Sequence, residues 1–132
     1  MRIVALGPAG RGVAVDAWGS TGVTIGPLGR VGGPDGSAAT VGRTGGGVGP
    51  TSVAVADFTA GGRIGRHPAA SWQVFAVISG SGWVTGADDV RVPLGPGEAA
   101  VWEPGEPHES GTDGGMVACI VEASVDPVAG LP

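Results

Sequence analysis

The chain contains only two histidines, His67 and His108. Each lies beside a turn signal, His67 before Pro68 and His108 after the run Pro104-Gly105-Glu106-Pro107. Two such side chains on different strands can meet if the sheet curls so that both point into one interior, where they would hold an organic ligand or water. Glu103 is the second group of chemical interest. It ends the otherwise apolar run Ala99-Ala100-Val101-Trp102, a position suited to a general acid or base. The nearby Glu98, Glu106 and Glu109 read instead as turn and exterior charges that keep the surface soluble.

Other chemistries find no support. Neither GxGxxG nor GxxxxGK[ST] occurs among the 28 glycines, so no phosphate-cradling loop is expected. Gly80-Ser81-Gly82 approaches a serine-hydrolase elbow, but that motif needs a strand–helix turn and this segment reads as a hairpin. Cys119 is the single cysteine, which excludes an internal disulfide framework. Within Val117-Ala118-Cys119-Ile120-Val121 it reads as a small buried hydrophobe.

The elements that must position these residues are strands. Residues 51–58, 73–78, 83–85, 90–92, 99–103 and 116–121 are apolar or alternating runs, separated by Gly, Pro and Asp turns. Short strands at near-regular spacing predict an all-β sandwich or barrel. The turn 79–82 joins two of them as a hairpin would. The two-residue period of a strand gives Gln73, Phe75 and Val77 one interior face, a polar head with apolar residues behind it. Trp72, Trp83 and Trp102 lie in or beside core strands, where they would pack between sheets or at a dimer contact. Fifteen of the glycines fall in the first 50 residues, which hold three weak strand candidates, 12–18, 22–28 and 38–41. We therefore expect one domain in three parts: Gly-rich strands and loops over 1–50 that join the barrel, the barrel itself over 51–125, and a loose tail over 126–132. The stretch 42–50 reads as a flexible connection.

Residues 61–110 resemble the two motifs of the cupin family. Gly62, His67, Gln73 and Gly80 follow the frame of the first, with Ala69 where the family has a second histidine and Gln73 where it has a glutamate. Gly97, Pro104-Gly105 and His108 follow the second, with Pro and Gly adjacent and Thr112 where the family has asparagine. The resemblance implies a cupin-type double-stranded β-helix, or jelly-roll barrel, similar to small RmlC-like proteins. It also implies a divalent metal (iron, manganese, nickel or zinc) held by His67, Gln73 and His108. A neutral amide in place of a carboxylate removes one negative charge from that set, so a hard cation would be held less tightly.

Two functions remain open at this stage. One is a metal-dependent cupin that binds and transforms a small organic molecule, by oxygenation, isomerisation or lyase chemistry, with Glu103 as its acid or base. The other is a non-catalytic cupin that binds a small ligand or a protein partner without metal. The net charge of −5, with seven scattered Arg and no Lys, speaks against nucleic acid and anionic membranes as partners. No run of 18 apolar residues exists, and the apolar run at the start is too short for a secretory signal. A cytoplasmic protein is expected, and the resemblance implies a homodimer paired through its sheets.

Overall fold

The computed structural model describes residues 1–8, 10, 12–31 and 51–130. The strand candidate 38–41 and the connection 42–50 lie outside these residues. The described chain is built from nine strands: β1 (Val13–Ala14), β2 (Thr21–Val31), β3 (Thr51–Pro68), β4 (Trp72–Gly80), β5 (Gly82–Thr85), β6 (Val92–Leu94), β7 (Ala99–Trp102), β8 (Pro107–Gly111) and β9 (Met116–Ala123). One 3-10 turn, Ala17–Gly19, precedes β2, and there is no α-helix among the described residues. The all-β expectation is met by a nearly closed jelly-roll barrel, with strand order β6-β5-β8-β3-β9-β4-β7 and β2, then β1, added on β3.

Strand β3 joins the two halves of the barrel. Residues 51–58 pair with β9 on one edge and β2 on the other, whereas residues 63–68 pair with β8. The strand must therefore turn a corner, and it does so at Gly61-Gly62. Gly61 has φ +75°, a conformation that costs glycine little. A Cβ on Gly62 would press within 2.6 Å of the Gly22 carbonyl oxygen.

Three local expectations are corrected. The segment 79–82 is not a hairpin, because β4 pairs with β7 and β9 while β5 pairs with β6 and β8. It carries the chain from one sheet to the other, through Gly80 at φ +72°. The strand expected over 90–92 begins at Val92 and runs through Pro93, which the ladder tolerates because β6 is an edge strand. Finally, β3 continues past Gly61-Gly62 to Pro68, and residues 107–111 form a strand of their own.

The core fills the space between the sheets. Gln73, Phe75 and Val77 all face it, as their spacing predicts, with Phe75 and Val77 each 1% exposed. Phe75 meets Phe58 edge to face, ring centroids 5.9 Å apart, a favoured aromatic geometry. Truncating Phe75 to alanine would open a cavity here, at a cost of about 3–5 kcal/mol.

Candidate functional site

His67 and His108 sit opposite each other as cross-strand partners of β3 and β8. Their meeting therefore needs only one strand pair, not the closure of the barrel. It does need an irregularity. Between Ile64 and His67 the register with β8 shifts, so that Ile64 faces Ser110 and His67 faces His108. Three residues on β3 thus span two on β8, a β-bulge at Gly65-Arg66. In a regular strand, residues three apart point to opposite faces. The bulge re-aims His67, and both Ile64 and His67 line the same cavity.

The two imidazoles are held alike. His67 Nδ1 lies 2.7 Å from the Gly65 carbonyl oxygen and His108 Nδ1 lies 3.2 Å from that of Glu106. A carbonyl oxygen only accepts, so each Nδ1 carries a hydrogen, and in the neutral ring Nε2 is then the acceptor. His108 is 2% exposed, and its Nε2 is the one buried side-chain polar atom without a partner among the described residues. Burial pushes the His108 pKa down from 6.5 to about 4, against the opposing effect of the Glu106 carbonyl and with the neighbouring His67 adding to the fall. At neutral pH it is an uncharged acceptor.

Aromatic rings fix the pair on both sides. Trp102 stacks on His108 at 4.2 Å and 25°, and its buried Nε1–H donates to the Thr85 carbonyl at 3.0 Å. Trp18 stacks on His67 at 3.9 Å and 11°. Trp18 belongs to the 3-10 turn, has φ +56° and is 56% exposed. That backbone conformation is uncommon for a bulky residue and costs free energy that the surroundings must supply. Gly65 and Ser20 supply part of it. The Gly65 N–H donates to Ser20 Oγ at 3.0 Å in a buried bond, and any Cβ on Gly65 would collide with the Trp18 carbonyl.

The cavity behind the histidines has a volume of about 210 Å³. Val15, Ile25, Ala54, Ile64 and Ile120 form its apolar walls. Three further polar residues line it. Ser52, Glu122 and Gln73 lie in one row across β3, β9 and β4, with Ser52 and Gln73 both paired to Glu122, and all three line the cavity.

Of the expected site residues, the structure thus brings His67, His108 and Gln73 to one cavity. Glu103 is exposed and is not among the lining residues; its N–H donates to Glu106 Oε2 at 3.1 Å in the turn before β8. Glu98 accepts from the Gly95 N–H at 2.8 Å and Glu109 pairs with Arg63 at 2.9 Å, which accounts for both as structural charges. Thr112, in the position of the family asparagine, donates to the Ser81 carbonyl and accepts from the Gly115 N–H. Ala69 is buried, with its N–H on the Glu106 carbonyl and its own carbonyl on the Gly105 N–H. Trp18 and Glu122 are among the lining residues that were not singled out from the sequence. Glu122 was readable, since it continues the inward series Met116, Ala118, Ile120 by the two-residue period. Trp18 carried no such signal.

A barrel of two facing sheets with paired histidines at a cavity defines a class, and the comparisons agree. The cupin domain family model matches residues 54–123, more than half of the chain, and the chain belongs to that family. No curated protein matches it. Among solved structures, it is similar to the polyketide cyclase RemF from Streptomyces resistomycificus, with TM-score 0.66 and 20% identity over 96% of this chain and 82% of that one. It is also similar to a cupin-like protein of Thermotoga maritima, with TM-score 0.62 and 22% identity over 80% and 72% of the two chains. The DMSP lyase DddQ from Ruegeria pomeroyi gives TM-score 0.53 and 18% identity over 62% of this chain and 45% of that one. At these identities the likeness is one of fold.

Many cupins hold a divalent metal, and the residues here can be tested for it. Two imidazole nitrogens with their Nδ1–H groups anchored on carbonyls are the usual preparation of histidine ligands, and the orphaned His108 Nε2 is a donor without a hydrogen-bond partner. Among the described residues no group of three His, Cys, Asp or Glu surrounds a common point. The third protein donor would therefore be the Gln73 amide oxygen. This set fits an ion that favours imidazole, such as zinc or nickel, better than one that needs carboxylate.

Proposed function

We propose that this cupin binds a small organic molecule in the cavity between its sheets, against a divalent ion held by His67 and His108 with Gln73 as a weak third donor. The observation that carries the reading is the buried His108 Nε2, which has no partner among the described residues. A buried polar atom left unsatisfied costs about 1–3 kcal/mol, and such an atom in a native fold calls for a bound partner, whether an ion, a ligand atom or an ordered water. With so few protein donors, coordination positions stay open for the ligand's own oxygen. Bound there, the ion would supply Lewis-acid polarisation of that oxygen.

The chain's own residues would do the rest. Backbone carbonyls hold each imidazole with Nε2 towards the cavity, Trp18 and Trp102 fix the ring planes, and the apolar walls exclude water from the ligand. The similarity to a polyketide cyclase and to DMSP lyases supports an organic small molecule as the occupant. The cavity, at about 210 Å³, is below the roughly 300–1,000 Å³ of drug-sized sites, so the molecule is small.

The test is elemental analysis of protein purified without a nickel column or chelator, beside the His67→Ala, His108→Ala double variant. Close to one metal per chain in the wild type, lost in the double variant, is expected. Less than about a tenth of an equivalent in the wild type, unchanged in the variant, would overturn the metal reading and leave a metal-free binding cupin.

A further inference from the structure

The bulge that turns His67 towards the cavity sends its neighbour elsewhere. The Arg66 guanidinium reaches the end of β5 and the turn that follows it. Nη1 donates to Thr85 Oγ1 at 3.2 Å, to the Gly86 carbonyl at 3.2 Å and to Asp89 Oδ1 at 3.0 Å, and Nη2 donates to the Ala87 carbonyl at 3.2 Å. The Asp89 end of the ion pair is exposed, so the pair by itself contributes little. The other three bonds matter more for geometry, because a rigid planar fork of charged donors fixes its acceptors in both distance and direction. They act where the ladder stops. Thr85 is the last residue of β5 and of its pairing with β8.

Thr85 is where this clasp meets the site. Its carbonyl accepts the buried Nε1–H of Trp102 at 3.0 Å, and Trp102 stacks on His108 at 4.2 Å. Trp102 comes from β7, at one end of the strand order, whereas β5 and β6 stand at the other, so no ladder among the described strands sets its distance from Thr85. The clasped turn has a second contact. A Cβ on Gly86 would come within 2.9 Å of Glu106 Oε1, which places the turn against the residue whose carbonyl anchors His108 Nδ1. We propose that Arg66 is the positioning residue of the histidine pair: adjacent to His67 in the chain, it fixes the place of His108 through Thr85 and Trp102. It thereby sets the 4.3 Å between the two ring centroids. This inference rests on reading the two imidazoles as the donors of the site. Charge and position make opposite predictions. A cation beside a metal site disfavours a bound cation, so loss of the charge alone would tighten metal binding, whereas loss of alignment in one donor weakens it.

The experiment compares the full-length wild type with Arg66→Ala and with Arg66→Lys, which keeps the charge without the fork. In metal-free protein, NMR reads the solvent exchange of the Trp102 indole N–H, assigned by its loss in Trp102→Phe, and the ring signals of the two histidines. The backbone amides of β9, paired on both edges, serve as the reference for global opening. Both variants are expected to speed the indole exchange by about tenfold, beyond any change in the β9 amides, and to displace the His108 ring signals. Zinc affinity, measured against a chromophoric chelator, should fall about tenfold in both. Indole exchange that is unchanged, or that rises only in step with the β9 amides, would overturn the inference. So would a zinc affinity in either variant equal to or above that of the wild type. A wild type that binds no zinc overturns the metal reading instead, and the indole exchange with the His108 signals then decides the role of Arg66.

Discussion

Acidification of the metal-free protein should destabilise it through one residue, His108. Its folded pKa is about 4, set mainly by burial, against 6.5 for the solvent-exposed imidazole of the unfolded chain. Between these two values the unfolded chain binds more protons at this site than the folded one, so stability falls as pH drops from about 6.5 towards 4 and levels off below that. At pH 5 the difference in proton binding amounts to about 2 kcal/mol. For a domain of this size that is a large share of the total, which is typically about 5–15 kcal/mol. The assay is urea unfolding in chelator-treated buffer at a series of pH values, for the wild type and His108→Gln. The variant lacks the titrating group, so its stability should change less over this window, by about 2 kcal/mol at pH 5 relative to neutral pH. Carboxylates titrate in the same range, but they do so in both proteins and cancel in the comparison. Parallel curves for the two proteins would refute the reasoning, since they would mean that His108 is as readily protonated in the fold as out of it.

Other predictions follow from the packing around the site. Gly65→Ala should push the Trp18 carbonyl off β3, unstack the indole from His67 and cost about 1–3 kcal/mol; a red shift in emission that is absent from Trp18→Phe checks it, and an unshifted spectrum counts against the Gly65 contact. The expected homodimer has a ready face, because the outward rows Val53-Val121-Val74-Val101 and Val55-Cys119-Ala76-Ala99 cross β3, β9, β4 and β7 without a charge. Light scattering should give twice the chain mass for the wild type and the single-chain mass for Val74→Arg; a monomeric wild type would remove the dimer.

How much of this was legible in the sequence depended on whether a residue obeyed the period of its strand. Gln73, Phe75 and Val77 did, and they face the core as expected. Strand β8 did not advertise itself, because its inward residues are His108 and Ser110 rather than aliphatics, and Pro107 at its start looked like a continuation of the turn. The second half of β3 was hidden in the same way by Gly61-Gly62 and Gly65. The contact of Trp18 with His67 joins residues far apart in the chain, through a turn whose backbone is strained, and no local pattern announces that.

These exceptions have one physical cause. A buried face made only of aliphatic residues can be built from regular strands, but it offers nothing for a ligand to bind. Polar groups brought into such an interior need partners, and the histidine pair is aligned where regularity is broken. Here the bulge at Gly65-Arg66 turns His67 inward, the carbonyls of Gly65 and Glu106 take the Nδ1–H groups, and Trp18 accepts an unfavourable φ to cover the ring. Gln73 and Glu122 instead reach the cavity from regular, in-register strands, paired with each other across β4 and β9. What the fold leaves for an occupant to answer is the buried His108 Nε2, which has no partner among the described residues.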